Sequence, residues 1–159
     1  MTLVEASDAD LEALAAGTAV RALRLSHGPI ETTEVLTMLR VLANSIRPHF
    51  APASWMIVDG DAIVGLCSLV KPPSGDGIDI GYGVAASRRR RGIASVAVKL
   101  LLDWARSDPR VMTVRAETSV LNTPSQRVLE RNGFERAGQR IDDEDGEMIC
   151  WQVSVASPD

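Results

Sequence analysis

Ser87-Arg88-Arg89-Arg90-Arg91-Gly92-Ile93-Ala94-Ser95 stands between an extended segment, residues 78–84, and an apolar-periodic one, residues 93–105. Strand, glycine-bearing turn and helix start in that order make an anion site. The first N–H groups of a helix have no intrahelical partner, and the helix dipole places positive potential there. Gly92 and Ala94 keep the backbone bare enough for a diphosphate to come close, and the arginines add charge on the approach.

Upstream of that turn, residues 54–58 and 62–70 are β-rich runs joined by Asp59-Gly60-Asp61, a hairpin signal because Asp-Gly accepts positive φ. Gly81 and Gly83 fall inside the 78–84 strand, which predicts a bulge or a close backbone approach by a ligand. Nearer the N-terminus, residues 2–5 read as a short strand. Ser7 or Asp8 offers an N-cap to a helix with Leu11, Leu14 and Ala15 on one face. Ser26-His27-Gly28-Pro29 breaks the pattern as a loop. Thr32 or Thr33 caps a second helix, with Val35, Leu39, Leu42 and Ile46 at helical spacing, and Arg47-Pro48 ends it.

Downstream, the helix after the arginines is expected to bury Ile93, Val96, Ala97, Leu100, Leu101 and Trp104 and to close at Asp108-Pro109. Residues 111–118 alternate as a strand. Asn122-Thr123-Pro124 opens a last helix, with proline read at the first helical position, and Asn132-Gly133 caps its end. Residues 134–141 and 147–155 form a final hairpin around Asp142-Asp143-Glu144-Asp145-Gly146. The order β-α-α-β-β-β-α-β-α-β-β predicts an α/β fold, a mixed sheet of about seven strands with about four helices on its two faces. At 159 residues the expectation is one domain over residues 1–159.

Composition narrows the function. The net charge of −4 argues against a general nucleic-acid coat and makes the basic patch local. No apolar run approaches membrane-spanning length and no leader pattern opens the chain, so the expected location is cytoplasmic, with no membrane partner. Cys67 and Cys150 lie in apolar runs and read as buried thiols rather than a disulfide. His27 and His49 stand beside Gly28 and Pro48 with no converging ligands, so no metal is expected.

With Arg89-Arg90-Arg91-Gly92-Ile93-Ala94 after the fourth predicted strand, this order resembles the GNAT superfamily of acetyl-CoA-dependent N-acetyltransferases, whose diphosphate motif is Arg/Gln-x-x-Gly-x-Gly/Ala. Asp79-Ile80-Gly81-Tyr82-Gly83-Val84, Asn122-Thr123-Pro124-Ser125 and the Arg127-to-Phe134 segment with Asn132-Gly133-Phe134 are similar to its Rim-type branch, which includes enzymes acetylating ribosomal-protein N-termini. The resemblance covers residues 54–155. It implies a sheet splayed between the fourth and fifth strands, with acetyl-CoA as co-substrate. The N–H groups of residues 90–95 would hold the diphosphate, with Arg89 as the motif arginine and Arg90 and Arg91 near phosphate. Val84 would pair with the pantetheine arm, Asn122 would bond it from the far side, and Ser125 would lie near the thioester sulfur.

The chemistry such a site needs is specific. An amine must lose a proton before it attacks a thioester, and a carboxylate accepts one directly or through water. Asp79 is the first candidate for that role and Glu117 the second; each also reads as a structural charge. A free N–H near residues 81–84 could stabilise the developing negative oxygen. Relatives that use a tyrosine acid carry it where this chain has Leu129, which leaves Ser125 as the substitute donor. Arg88 reads as a solvated charge. The acceptor is expected to be a peptide N-terminus or a small-molecule amine, in a pocket shaped by residues 25–33 and 72–77, with Glu31, Glu34, Asp76, Asp142 and Asp143 able to attract a cation. The residue 147–155 strand is read as an edge available for pairing in a homodimer. A non-catalytic acyl-CoA sensor and an arginine-rich nucleic-acid binder are the competing readings.

Overall fold

The computed structural model describes residues 1–25 and 28–156. Its elements are β1 (Thr2–Glu5), α1 (Asp8–Ala15), β2 (Arg24–Leu25), α2 (Thr33–Ile46), β3 (Ser54–Asp59), β4 (Ala62–Leu69), β5 (Gly77–Val84), a single 3-10 turn (Ala86–Arg88), α3 (Ile93–Ser107), β6 (Thr113–Ser119), α4 (Thr123–Arg131), β7 (Glu135–Asp142) and β8 (Gly146–Ser154). The two-residue β2, too short to carry a pattern of its own, pairs in parallel with Ala62 and Ile63 of β4. Its presence makes the fourth predicted strand β5 and the fifth β6. The Ser26-His27 part of the predicted loop lies outside the described residues.

All strands join one eight-stranded sheet, ordered β1-β3-β4-β5-β6-β8-β7 with β2 attached to β4. Along that path only β5 and β6 run parallel, because α3 carries the chain back between them; the other neighbours are antiparallel. β4 is buried at every residue and β3 at all but Asp59, which requires cover on both faces. On one face Trp55 meets Trp104 of α3 edge-on, with ring centroids 5.0 Å apart. α1 and α2 pack against each other, and α2 packs on β4.

Local chemistry explains where the helices begin. Ser7 accepts from Asp10 N while the Asp10 carboxylate accepts from Ser7 N, a full capping box. Thr32 accepts from Val35 N, and Asn122 from Ser125 N. Pro124 is the second helical residue rather than the first, since Asn122 takes the cap and Thr123 follows it.

Packing rotates two helical stripes from their expected phase. In α2, Leu36, Ala43 and Ile46 are buried, while Val35 is only partly so. In α3, Ile93, Ala97, Val98, Leu101, Leu102 and Ala105 face the sheet, and Val96 is 42% exposed. Both corrections have one cause: valine fits either edge of an apolar stripe, and only the sheet's position selects one.

Two further expectations are corrected. β5 carries no bulge, since Ile80 to Val84 pair with Leu69 to Gly65 without a break. The irregularity falls on β4, where Ile57 pairs with Gly65 and Val58 with Ile63, leaving Val64 as the extra residue. Gly65 is demanded by this close approach, because a Cβ there would run into the Gly83 carbonyl oxygen and come within 2.9 Å of Ile57 Cδ1. The residue 147–155 strand is not an edge either. β8 lies between β6 and β7, and the exposed edge is β7. A return hairpin inserted its second strand against β6, an arrangement that alternation cannot reveal.

Candidate active site

The β5–β6 ladder ends at Ile80↔Ala116, yet β5 continues to Val84 and β6 to Ser119. The two strands part there, as the resemblance implied. The ladder with β4 decides which backbone groups are left open. Asp79 O accepts from Val70 N, and Ala85 N donates to Val64 O, so odd-numbered residues of this segment turn their polar groups toward β4. The N–H and C=O of Tyr82 and Val84 therefore face the gap. Val84 O accepts from Arg89 Nε at 3.2 Å, which anchors the arginine turn to the end of β5.

In that turn, Arg90 has φ +67 and Gly92 has φ +74. Gly92 is the N-cap residue of α3 and brings no side-chain cap. Left-handed residues at these two positions turn successive N–H groups toward one side, a geometry suited to anions. Val96 N reaches Gly92 O at 3.1 Å; among the described residues, no hydrogen bond engages the N–H groups of residues 90–95. Arg89, Arg90, Arg91 and Gly92 are exposed, Ala94 and Ser95 are half-buried, and Ile93 is buried against the core. Ser95 is steadied through its carbonyl oxygen, which accepts from Asn132 Nδ2 at 3.1 Å. Arg88 is corrected from a solvated charge: it pairs with Asp59 at 3.6 Å, with its side chain 18% exposed.

Where β5 and β6 diverge, a cavity of about 380 Å³ opens. Ile80, Gly81 and Tyr82 line it from β5, Glu117, Thr118 and Ser119 from β6, Asn122 and Ser125 from the start of α4, and Asp145 and Met148 from the last hairpin. Asn122 Oδ1 is committed to the helix cap, which leaves its Nδ2 as the donor toward the cavity. The Ser125 hydroxyl lies 2.8 Å from the Tyr82 phenol oxygen. Burial pushes the Tyr82 pKa up, against a smaller opposing effect of the Ser125 hydrogen bond.

The two candidate carboxylates are separated by this geometry. Asp79 is 9% exposed and is held by Arg115, with Oδ2 3.1 Å from Nη2 and Lys71 at 3.7 Å. It is not among the residues lining the cavity. Arg115 also reaches the Ser74 carbonyl, and its guanidinium crosses Gly77 so closely that a Cβ there would collide with it. Asp79 therefore braces the closed part of the β5–β6 ladder. Glu117 lines the cavity and is bound in a fork by Arg140 at 2.6 and 2.7 Å. The Arg140 hydrogen bonds hold the Glu117 carboxyl below the usual range, so it stays anionic.

Residues 72–77 and the described part of residues 25–33 contribute nothing to the cavity wall; Asp145 and Met148 stand there instead. Asp145 is a site residue that the sequence left unmarked, and Tyr82, inside the 79–84 motif, was given no role there. Alternation gave one usable signal for Tyr82: it shares the parity of Ile80 and Val84, the residues whose backbone faces the gap. Among the described residues no group of three His, Cys, Asp or Glu side chains converges to hold a metal, and no helix is long and apolar enough to cross a membrane.

Comparison with known proteins agrees with the geometry. Residues 1–135 match the family model described as acetyltransferase (GNAT) domain. The uncharacterized N-acetyltransferase YjdG of Bacillus subtilis (strain 168) is 37% identical over 84 residues; the match spans 51% of this chain and 50% of that protein. The fold is similar to a chimera of spermidine N-acetyltransferase SpeG from Vibrio cholerae and hSSAT, with TM-score 0.73, 16% identity, and coverage of 97% of this chain and 95% of that one. It is also similar to Mycobacterium smegmatis RimJ in complex with CoA-disulfide, with TM-score 0.70, 20% identity, and coverage of 96% and 80%. With most of its length matched by that family model, the chain belongs to the GNAT family of acetyltransferases.

Proposed function

We propose that this protein is an acetyl-CoA-dependent N-acetyltransferase acting on a cationic primary amine, either a small molecule or a peptide N-terminus. One observation carries the reading. The consecutive N–H groups of residues 90–95, unbonded among the described residues, follow within one short turn on a strand whose free edge faces a gap in the sheet. Those donors fit a diphosphate, and the N–H of Tyr82 and Val84 fit an extended amide-bearing arm laid along the strand edge. Arg90 and Arg91 add positive charge at the mouth, and Asn122 Nδ2 donates from the opposite wall. Bound acetyl-CoA would supply an acetyl group activated as a thioester.

The chain's own groups then divide the work. A backbone N–H facing the gap donates to the acetyl oxygen as it gains negative charge. Glu117 and Asp145 attract the ammonium form of the acceptor into the cavity. Glu117, kept anionic by Arg140, orders the water through which the amine proton leaves, while Asp79 holds the strands below the gap. Ser125 donates to the departing sulfur. The YjdG and SpeG names support amine acetylation as the reaction class, and RimJ supports coenzyme A as the bound molecule.

The test is a thiol-release assay with a panel of polyamines, aminoglycosides and short peptides, with mass spectrometry of the products. Turnover with a cationic amine, slowed in Ser125→Ala while calorimetry shows unchanged coenzyme A binding, is the expected result. Coenzyme binding without turnover across the panel would replace the enzyme by a sensor of acyl-CoA. Absence of coenzyme binding would reject both.

A further inference from the structure

We infer that Tyr82, the only tyrosine of the chain, is a positioning residue that aims the Ser125 hydroxyl at the sulfur of the acyl donor. The inference rests on the acetyltransfer reading above and gives a role in that site to a residue that the 79–84 motif contains without assigning it one. Tyr82 stands on β5 at the edge of the gap, and Ser125 lies in the first turn of α4 on the other side. Both line the cavity, and their hydroxyl oxygens are 2.8 Å apart, the usual length of a good O–H···O bond.

The direction of that bond follows from acidity and distance. A phenol is a far stronger donor than an aliphatic alcohol. The other acceptor within reach of the phenol, the Ser125 carbonyl oxygen, is 3.3 Å away, beyond the normal range for such a bond. The phenol proton therefore goes to Ser125 Oγ. Ser125, relieved of its role as donor to Tyr82, keeps its own O–H for a third atom in the cavity. Asn122 fixes the Ser125 backbone by accepting its N–H at 3.2 Å, so only the hydroxyl rotor is left to set, and the phenol sets it. Burial keeps the phenol protonated, and hence a donor, at neutral pH and well above it.

The assignment also accounts for Leu129. Leu129, fully buried on α4 where the resemblance implies a tyrosine donor, has no proton to donate, and Ser125 in the first turn of that helix does. In the reaction the N–C bond forms as the C–S bond breaks. The electron pair of the C–S bond goes to sulfur, which leaves as thiolate; one ammonium proton goes to water before the attack, and a second N–H proton goes to water as the amide forms. Ser125 hydrogen-bonds to the sulfur without transferring its proton.

The unique tyrosine makes the test site-specific, because global 3-fluorotyrosine incorporation labels position 82 alone. Tyr82→Phe is expected to lower kcat about five- to tenfold with KM for acetyl-CoA unchanged, the effect of one lost hydrogen bond in the reaction. Ser125→Ala is expected to lower kcat at least as much, and the double variant is expected to be no slower than Ser125→Ala alone. The 19F resonance of the fluorotyrosine protein should move on addition of coenzyme A, and in the Ser125→Ala background should start displaced. Full kcat in Tyr82→Phe, a double variant slowed by the product of both single effects, or a 19F resonance indifferent to Ser125→Ala would each overturn the inference. The 19F measurement needs no turnover and no Phe variant. It stays decisive if Tyr82→Phe folds poorly, and it separates failure of this assignment from failure of the acetyltransfer reading.

Discussion

Gly92→Ala separates the cost of folding the arginine turn from the cost of binding an anion on it. Gly92 has φ +74, and a Cβ built there meets no atom within 4 Å. The substitution therefore introduces no clash, and its whole effect on stability is the left-handed backbone, about 1–2 kcal/mol for a residue with a side chain. Against a total of about 5–15 kcal/mol the protein remains folded, with a midpoint lowered by about 2–8 °C. Gly17, after the end of α1, provides the control: its φ is +72, and its Cβ would also meet nothing within 4 Å. Gly17→Ala should lower the midpoint equally. The two variants part company in binding. An added methyl group at Gly92 crowds the surface on which the diphosphate would rest, and relaxation of its φ would turn the neighbouring N–H groups out of line. Coenzyme A affinity measured by calorimetry should fall at least about tenfold, or about 1.4 kcal/mol, in Gly92→Ala. Gly17→Ala should bind as the wild type does. Equal affinity in the two variants would refute the reasoning.

Three further outcomes follow from the geometry. Asp79→Ala leaves Arg115 without its carboxylate partner and should cost about 1–3 kcal/mol in urea denaturation while kcat stays within about threefold, whereas Glu117→Gln should raise KM for the acceptor about tenfold with a smaller loss of stability; the reverse pattern would return the proton-accepting role to Asp79. Gly65→Ala forces a Cβ against the Gly83 carbonyl and should lower stability by about 1–3 kcal/mol in the same assay, and a neutral result would contradict the tight β4–β5 approach. Hydrogen bonds from Arg40 and then Asn44 hold the Asp8 carboxyl far below its usual 3.8, and Asp108 and Glu117 are lowered by Arg110 and Arg140 in the same way. Each contributes stability that is present above the unfolded value and is lost as pH falls through the folded one. The urea midpoint should hold from pH 7 to about 5 and decline below about 4, and Asp8→Asn should make that decline shallower.

What could be read in the sequence was local. Ser7, Thr32 and Asn122 announced helix starts because a cap bonds an N–H only two or three residues away. Asp59-Gly60-Asp61 announced a hairpin, and Gly92 a turn at the start of α3, because each problem is solved by the residue that poses it. What stayed hidden depended on distant partners. Asp79 meets Arg115 across 36 residues, Glu117 meets Arg140 across 23, and Tyr82 meets Ser125 across 43. A carboxylate's sequence neighbours do not tell whether an arginine will hold it, so the sequence ranked Asp79 above Glu117 as a proton acceptor while the cavity favours Glu117 for the acceptor side. The insertion of β8 beside β6 was invisible for the same reason, since either strand of the last hairpin has a pattern that permits it.

The central claim is that the peptide N–H groups at the start of α3 hold the diphosphate of coenzyme A. Backbone amide NMR of the uniformly 15N-labelled protein, titrated with the coenzyme, tests it residue by residue. The largest shifts should fall on the amides of residues 90–95, with Tyr82 and Val84 next and α1 unmoved. A saturating titration that leaves residues 90–95 at their free positions would contradict the claim.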